Sequence, residues 1–158
     1  VDVHNAETRS RNMAAIKGKD TKPELLLRKG LFARGMRYRL HVKGLPGKPD
    51  IVFPKYKAVV FVHGCFWHQH SNCKLAYMPK TNLLMWQSKF KSNSLRDELV
   101  KITLANQKIK MIIVWECAIR SSEINQLEKL LSHLMKQNIE YSEISYNYHI
   151  CGLEALSF

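Results

Sequence analysis

Acidic residues are scarce in this chain. Asp and Glu total 13 of 158 residues against 25 Lys and Arg, giving a formal net charge of +12 and a pI near 9.7. So one-sided a balance points to a polyanionic partner, most often nucleic acid; the plainer alternative is a solubilising surface. Long hydrophobic runs are missing too. No stretch of 18 apolar residues occurs, so no membrane span is expected. No charged-then-apolar segment opens the sequence, so no signal peptide is expected. Repeats, low-complexity tracts and long linkers are absent, and the length suits one domain over residues 1–158. A chain of this size buries roughly 70% of its unfolded surface and needs no disulfides to fold. Cysteines are few: Cys65, Cys73, Cys117 and Cys151. Clustered with histidine in a chain of cytosolic character, they suggest a metal before a disulfide.

What is present reads as alternating helices and strands. Residues 1–19 are polar and basic, and form either a short helix around 7–16 or an arm that orders on a partner. TKPELLLRKGLFARG follows. Thr21 and Glu24 fit a capping box, Pro23 the first helical turn and Gly35 the stop. Leu25, Leu26, Leu27, Leu31 and Phe32 supply its apolar face. YRLHV (38–42) alternates weakly, as a strand would, and GLPGKP is turn chemistry. DIVF (50–53) and KAVVFVHG (57–64) read as strands joined by PKY, the second apolar on both faces as a central strand should be. Residues 82–106 read as a helix with Lys89, Lys91, Arg96 and Lys101 on one side. KMIIVWE (110–116) is another buried strand. Residues 121–138 form an amphipathic helix through Ile124, Leu127, Leu131 and Leu134, and 139–156 adds one or two edge strands. The expected fold is an α/β sandwich around a small mixed sheet flanked by helices.

Two constellations carry chemistry. Cys65, His70 and Cys73 follow the spacing C-x4-H-x2-C, and structural zinc takes four tetrahedral Cys or His ligands. A strand parallel to the one ending near Cys65 would bring Cys117 beside it as the closing ligand; Cys151 is the reserve. Four protein ligands leave no open position for water, so the zinc would be structural. Asp50 opens a strand after Pro49. Magnesium takes oxygen ligands and only one or two carboxylates, so Asp50 and a main-chain carbonyl near Val62 form a candidate site. His63 and His68 remain once His70 goes to zinc, and a neutral imidazole suits proton removal from an attacking water. Glu24 is ambiguous: the capping box explains it fully, and a contact with metal-bound water would be an extra role.

PGKPD, FVHGCFWHQHSNC and IIVWECAIR, with TRSRNM and KDTKPE upstream, resemble the very short patch repair (Vsr) endonucleases over roughly residues 4–120. The resemblance implies a restriction-endonuclease-like fold. It implies nicking of one strand of duplex DNA 5′ to the thymine of a T:G mismatch, the lesion left when 5-methylcytosine deaminates. Asp50 falls on the family's magnesium-binding aspartate, His68 on its general base and His63 on a second active-site histidine. Glu24 falls on an acid that touches metal-bound water. Cys65, His70, Cys73 and Cys117 fall on the structural zinc ligands. Phe66, Trp67 and Trp86 fall on an aromatic wedge that enters the base stack, and Met13 on a residue reaching in from the minor groove. Lys89 and Asn93 are candidates for reading flanking bases. The implied setting is the bacterial cytoplasm, with a monomer acting on double-stranded DNA and linked in function to a cytosine-5 DNA methyltransferase. The competing reading is a zinc-stabilised DNA-binding module without catalysis, which would not need Asp50, His63 and His68.

Overall fold

The computed structural model describes residues 5–121, 124–146 and 150–151. Helices α1 (Ala6–Ala14) and α2 (Lys22–Ala33) precede strands β1 (Ile51–Phe53) and β2 (Ala58–His63). Then come the long helix α3 (Leu83–Asn106), β3 (Lys110–Trp115), α4 (Glu116–Arg120), α5 (Ile124–Lys136), β4 (Tyr141–Ile144) and β5 (Ile150–Cys151). The strands form one sheet in the order β1-β2-β3-β4-β5. The outer pairs, β1–β2 and β4–β5, are antiparallel; β2–β3 and β3–β4 are parallel. The expected small mixed sheet flanked by helices is therefore present. Among the described residues no helix is long and apolar enough to cross a membrane.

Alternation along the strands divides the core between two faces. Val60, Ile112 and Val114 join Leu27 and Leu31 of α2 and Leu127, Leu131 and Leu134 of α5. Val59, Phe61, Met111, Ile113 and Trp115 join Leu104 of α3, with Cys65 and Cys117 at the edge. The central strands β2 and β3 are buried almost throughout, as helices on both faces require.

Several local expectations need correction. YRLHV is not a strand: Arg39 makes a single antiparallel bridge to Val52. In α2, Leu27 and Leu31 are buried, but Leu25, Leu26 and Phe32 are exposed; Glu24 and Arg28 take the inward places instead. The capping box forms only in part. Glu24 reaches back to the N–H of Asp20, while the Thr21 hydroxyl donates to Glu24 rather than accepting from the helix. The stop at Gly35 stands, with φ +77 and hydrogen bonds Gly35 N–H to Phe32 O and Met36 N–H to Leu31 O closing the helix. β4 is an interior strand rather than an edge, because β5 pairs outside it. The strand expected over 110–116 ends at Trp115, and Cys117 sits in the first turn of α4.

Lys110 shows how the sheet holds α5. Its ammonium donates to the carbonyls of Leu134, Met135 and Gln137 at 3.2, 2.7 and 2.6 Å, satisfying groups the helix end leaves open. Lys110→Met should lower stability by about 2 kcal/mol, the scale of charged hydrogen bonds. For a chain of this length that is a melting shift of roughly 4–8 °C. An unchanged thermal midpoint would mean water serves those carbonyls as well.

Candidate active site and metal centre

The turn Leu45–Pro49 places the first candidate residue. Gly47 has φ +73, and a Cβ there would lie 2.7 Å from Val100 Cγ1 of α3, so only glycine lets this loop pass so close to the helix. The chain then enters β1 through Asp50. Pairing with β2 begins at Ile51 and Val60, so the Val62 N–H lies beyond the ladder. Asp50 Oδ2 accepts from it at 2.7 Å. Burial pushes the Asp50 carboxyl up to about 6; the charge of Glu24 adds to this, while Val62 N–H, Arg28 and His68 oppose it.

Glu24 stands behind Asp50 and is buried. Its carboxylate accepts from Thr21 Oγ1 (2.8 Å), Asp20 N–H (2.8 Å) and Arg28 Nη2 (3.1 Å). Arg28, also buried, donates to Asp20 as well at 2.5 Å. Asp50, Glu24, Val62, His63 and His68 face a cavity of about 580 Å³ together with Arg96 and Asp97. A neighbouring open cavity of about 430 Å³ shares Gly18, Glu24, Val62 and His68 and is lined also by Ile16 and Lys17 of the N-terminal segment.

The two histidines lie face to face. The His63 and His68 rings stack at 3.7 Å with 10° between their planes. His68 Nδ1 is 2.5 Å from Asp97 Oδ2. A carboxylate can only accept, so Nδ1 carries the hydrogen and Nε2 keeps a free lone pair. The geometry favours this reading over a metal held by His63, His68 and Asp97 together, although their ligand atoms are close enough for one. Imidazole lone pairs lie in the ring plane, and two stacked parallel planes do not converge on one ion.

His63 is buried, and burial holds its imidazole down to about 3; His68 adds to the shift and Asp97 opposes it. His63 therefore stays neutral. The linkage signs of His63 and Asp50 are opposite. The unfolded chain protonates His63 below pH 6.5 and the folded protein does not, so His63 costs stability as pH falls towards 3. Asp50 binds its proton more tightly when folded, near 6 against 3.8, and so adds stability as pH falls from 6 to 4. In wild type the two slopes offset each other below pH 6. Asp50→Asn removes one of them and also the cost of the ionised carboxylate, so the variant should be the more stable protein above pH 6, and that advantage should shrink by on the order of 1 kcal/mol per pH unit from 6 to 4. Parallel denaturation-versus-pH curves would show that Asp50 is not held as described.

The Cys/His cluster is built by register. His63 pairs with Trp115 at the ends of β2 and β3, and Cys65 and Cys117 each follow by two residues. A run of turns, with His68 N–H to Gly64 O and His70 N–H to Cys65 O, folds His70 and Cys73 back onto them. His70 Nδ1 lies 3.6 Å from Cys65 Sγ and 3.5 Å from Cys117 Sγ, and the four ligand atoms all fall within 4.8 Å of one another. Tetrahedral zinc with bonds of about 2.3 Å to sulfur and 2.0–2.1 Å to nitrogen requires edges of about 3.5 Å, so the donor set fits. Burial raises the Cys65 and Cys117 thiols and lowers His70, so without a cation the pocket holds neutral groups. The reserve ligand Cys151 has a side chain outside the described residues.

The aromatic residues form one cluster. Phe66 lies 5.1–5.3 Å, centroid to centroid, from Trp67, Tyr77, Trp86 and Phe90. Lys89 sits over Trp67 and Trp86 at 5.2 and 5.9 Å. Asn93 is turned towards the loop: its amide donates to Trp67 O at 2.9 Å, and its carbonyl accepts from Arg96. Met13 lies on α1, 42% exposed.

A family model for the DNA mismatch endonuclease Vsr matches residues 1–75. The Escherichia coli (strain K12) DNA mismatch endonuclease Vsr is 39% identical over 139 residues, 88% of this chain and 85% of that protein. The chain belongs to the Vsr family. Two further members are Type II nicking enzymes. V.NmeAIP of Neisseria meningitidis serogroup A / serotype 4A is 46% identical over 78% of this chain and 87% of its own length. V.XorIIP of Xanthomonas oryzae pv. oryzae is 40% identical over 85% and 96%.

Set in this Vsr-family chain, the structure brings Asp50, Glu24, His63 and His68 to one cavity, and gathers Cys65, His70, Cys73 and Cys117 beside it. It also adds residues the sequence reading passed over. Asp97 shares a side of α3 with Phe90, Asn93 and Leu104, and the available signal was an acid in line with those less exposed positions, whereas the neighbouring Glu98 is exposed. Trp115 stacks on His70 at 4.1 Å and meets His63 edge-on at 5.4 Å, with its indole N–H on Glu143 at 2.9 Å, so one ring joins the two histidine sites. Its place in an apolar strand gave no such signal.

Proposed function

We propose that this Vsr-family chain is a DNA repair endonuclease that nicks one strand of duplex DNA 5′ to the thymine of a T:G mismatch by magnesium-dependent hydrolysis. The observation that carries the reading is the His68–Asp97 pair, facing the same cavity as Asp50 and Glu24. Such a pair orients an imidazole as a base, its Nε2 free to take a proton from water attacking the phosphodiester. His63 supports the His68 ring and keeps a second positive charge out of the site.

Magnesium is assigned to Asp50 and the Val62 main-chain carbonyl; when bound it would supply Lewis-acid polarisation of the scissile phosphate. The fit rests on the half-buried Asp50 carboxylate near the buried Glu24, where loss of solvent without a cation is unfavourable. Zinc is assigned to Cys65, His70, Cys73 and Cys117, holding the loop between them rigid. Phe66, Trp67 and Trp86 are the wedge for the base stack, and Met13 reaches from the arm formed by residues 1–19. Lys89 and Asn93 act at the flanking bases. Unstacking is cheapest where pairing is already weak, which favours a wobble pair. The same reading holds that residues 1–158 form one domain of restriction-endonuclease-like fold. The chain would work as a monomer in the bacterial cytoplasm, at sites made by a cytosine-5 methyltransferase.

The test is a nicking assay on duplexes that carry T:G, C:G or T:A at one position, in several sequence contexts, with and without magnesium. Magnesium-dependent cleavage of only the thymine strand of T:G is expected. Equal cleavage of all three would overturn the substrate assignment.

A further inference from the structure

Tyr77 lies in the segment between Cys73 and the start of α3, which forms neither helix nor strand. At 64% exposed it is the most open ring of the Phe66 cluster; Phe66, Trp67 and Trp86 are only partly exposed, and Phe90 is buried. It is nonetheless held in place. Its ring sits 5.1 Å from Phe66 at a 41° tilt, whereas Trp67, Trp86 and Phe90 meet Phe66 nearly edge-on at 84°, 72° and 87°. The turn Ala76 N–H to Cys73 O, at 3.0 Å, ties the residue before it to the Cys/His cluster. The exposed residues Lys74, Met78 and Lys80 flank it along the chain, and Lys89 lies over Trp67 and Trp86 of the same ring cluster. An exposed ring with cations alongside is the arrangement that stacks unpaired bases and tracks their backbone.

We propose that Tyr77 is a further nucleobase-contacting residue. Its ring stacks on a base exposed when the wedge opens the duplex, and so adds to selectivity for the mismatch. The inference rests on the nicking reading above. Tyr77 is the most exposed of the four rings packed on Phe66, so a base that approaches Phe66 comes within reach of Tyr77. Tyr77 either stacks on that base or gives up its place on Phe66 to it. The first is favoured, because the Cys73 turn restrains withdrawal and a preplaced ring loses little freedom on binding.

The experiment compares wild type, Tyr77→Ala and Tyr77→Phe in magnesium-free buffer. It measures Kd for T:G and C:G duplexes, and the fluorescence of 2-aminopurine placed beside the mismatch. Tyr77→Ala should bind T:G about tenfold more weakly, the scale of one lost base–aromatic stack, while C:G binding changes little. Its complex should show altered 2-aminopurine quenching. Tyr77→Phe keeps the ring and should retain most of the affinity. Because Tyr77 is exposed, thermal midpoints should match among the three. Unchanged T:G binding by Tyr77→Ala, beside a wild type that discriminates, overturns this inference alone. So does an equal loss on both duplexes. A wild type that binds T:G and C:G alike overturns the nicking reading and this one with it.

Discussion

Asp50→Asn is expected to reduce nicking by roughly a thousandfold or more while T:G duplex affinity stays within a few-fold. Asparagine has the same shape, and its oxygen can still accept the Val62 N–H that Asp50 holds at 2.7 Å. Only the charge is lost. In wild type that charge is half-buried near Glu24, and the loss of solvent raises the Asp50 carboxyl to about 6. A cation would offset this cost, and charge stabilisation by a bound metal is worth several kcal/mol at the transition state, where each 1.4 kcal/mol is about tenfold in rate. On the proposed reading, duplex affinity would rest on phosphate contacts from a chain of net charge +12 and on the aromatic cluster, neither of which Asp50 supplies. Single-turnover nicking beside fluorescence anisotropy separates the two. Full activity in Asp50→Asn would sink the proposed mechanism. A wild type that binds T:G tightly and never cleaves would favour the binding-module reading.

Cys117→Ser should lose the metal of the Cys/His cluster and, with it, on the order of 10 °C or more of thermal stability. Cys117 lies 3.5 Å from His70 Nδ1, is buried, and also accepts from the Tyr146 N–H at 3.4 Å. Structural zinc contributes directly to folding free energy, on the order of 10 kcal/mol in small zinc peptides. Even a loss of 4 kcal/mol would move the midpoint by roughly 8–16 °C for a chain of this length. The effect should spread further than stability. The residues between Cys65 and Cys73 carry Phe66, Trp67 and His68, so a loosened loop would misplace the proposed wedge and the proposed base together. Elemental analysis with a melting curve is the check. One full equivalent of zinc in Cys117→Ser would refute the ligand assignment.

Much of the site was legible because its residues lie close along the chain. Residues 63–73 hold three histidines and two cysteines, and local spacing sufficed to name His70 and Cys73 as partners of Cys65. Cys117 was within reach because parallel strands end together, although the cysteine proved to sit just past the strand, in α4. Strand and helix positions followed from apolar runs and turn residues. Where pattern reading failed, tertiary contacts had overridden it. Leu25, Leu26 and Phe32 are apolar yet exposed, while Glu24 and Arg28 of the same helix are buried, because their charges satisfy one another beside Asp50.

The sequence by itself determined the α/β class, the buried central strands, the basic surface and most of the side chains at the two sites, all of which rest on composition and short-range spacing. Tertiary structure decided which histidine goes where. His68 and His70 are two residues apart and chemically alike. Only the fold sets one against Asp97 of α3, 29 positions away, and the other between Cys65 and Cys117, stacked on Trp115. Spacing could nominate His70 for the cysteines, but the chemistry of each imidazole is set by the partners that distant parts of the chain bring to its ring.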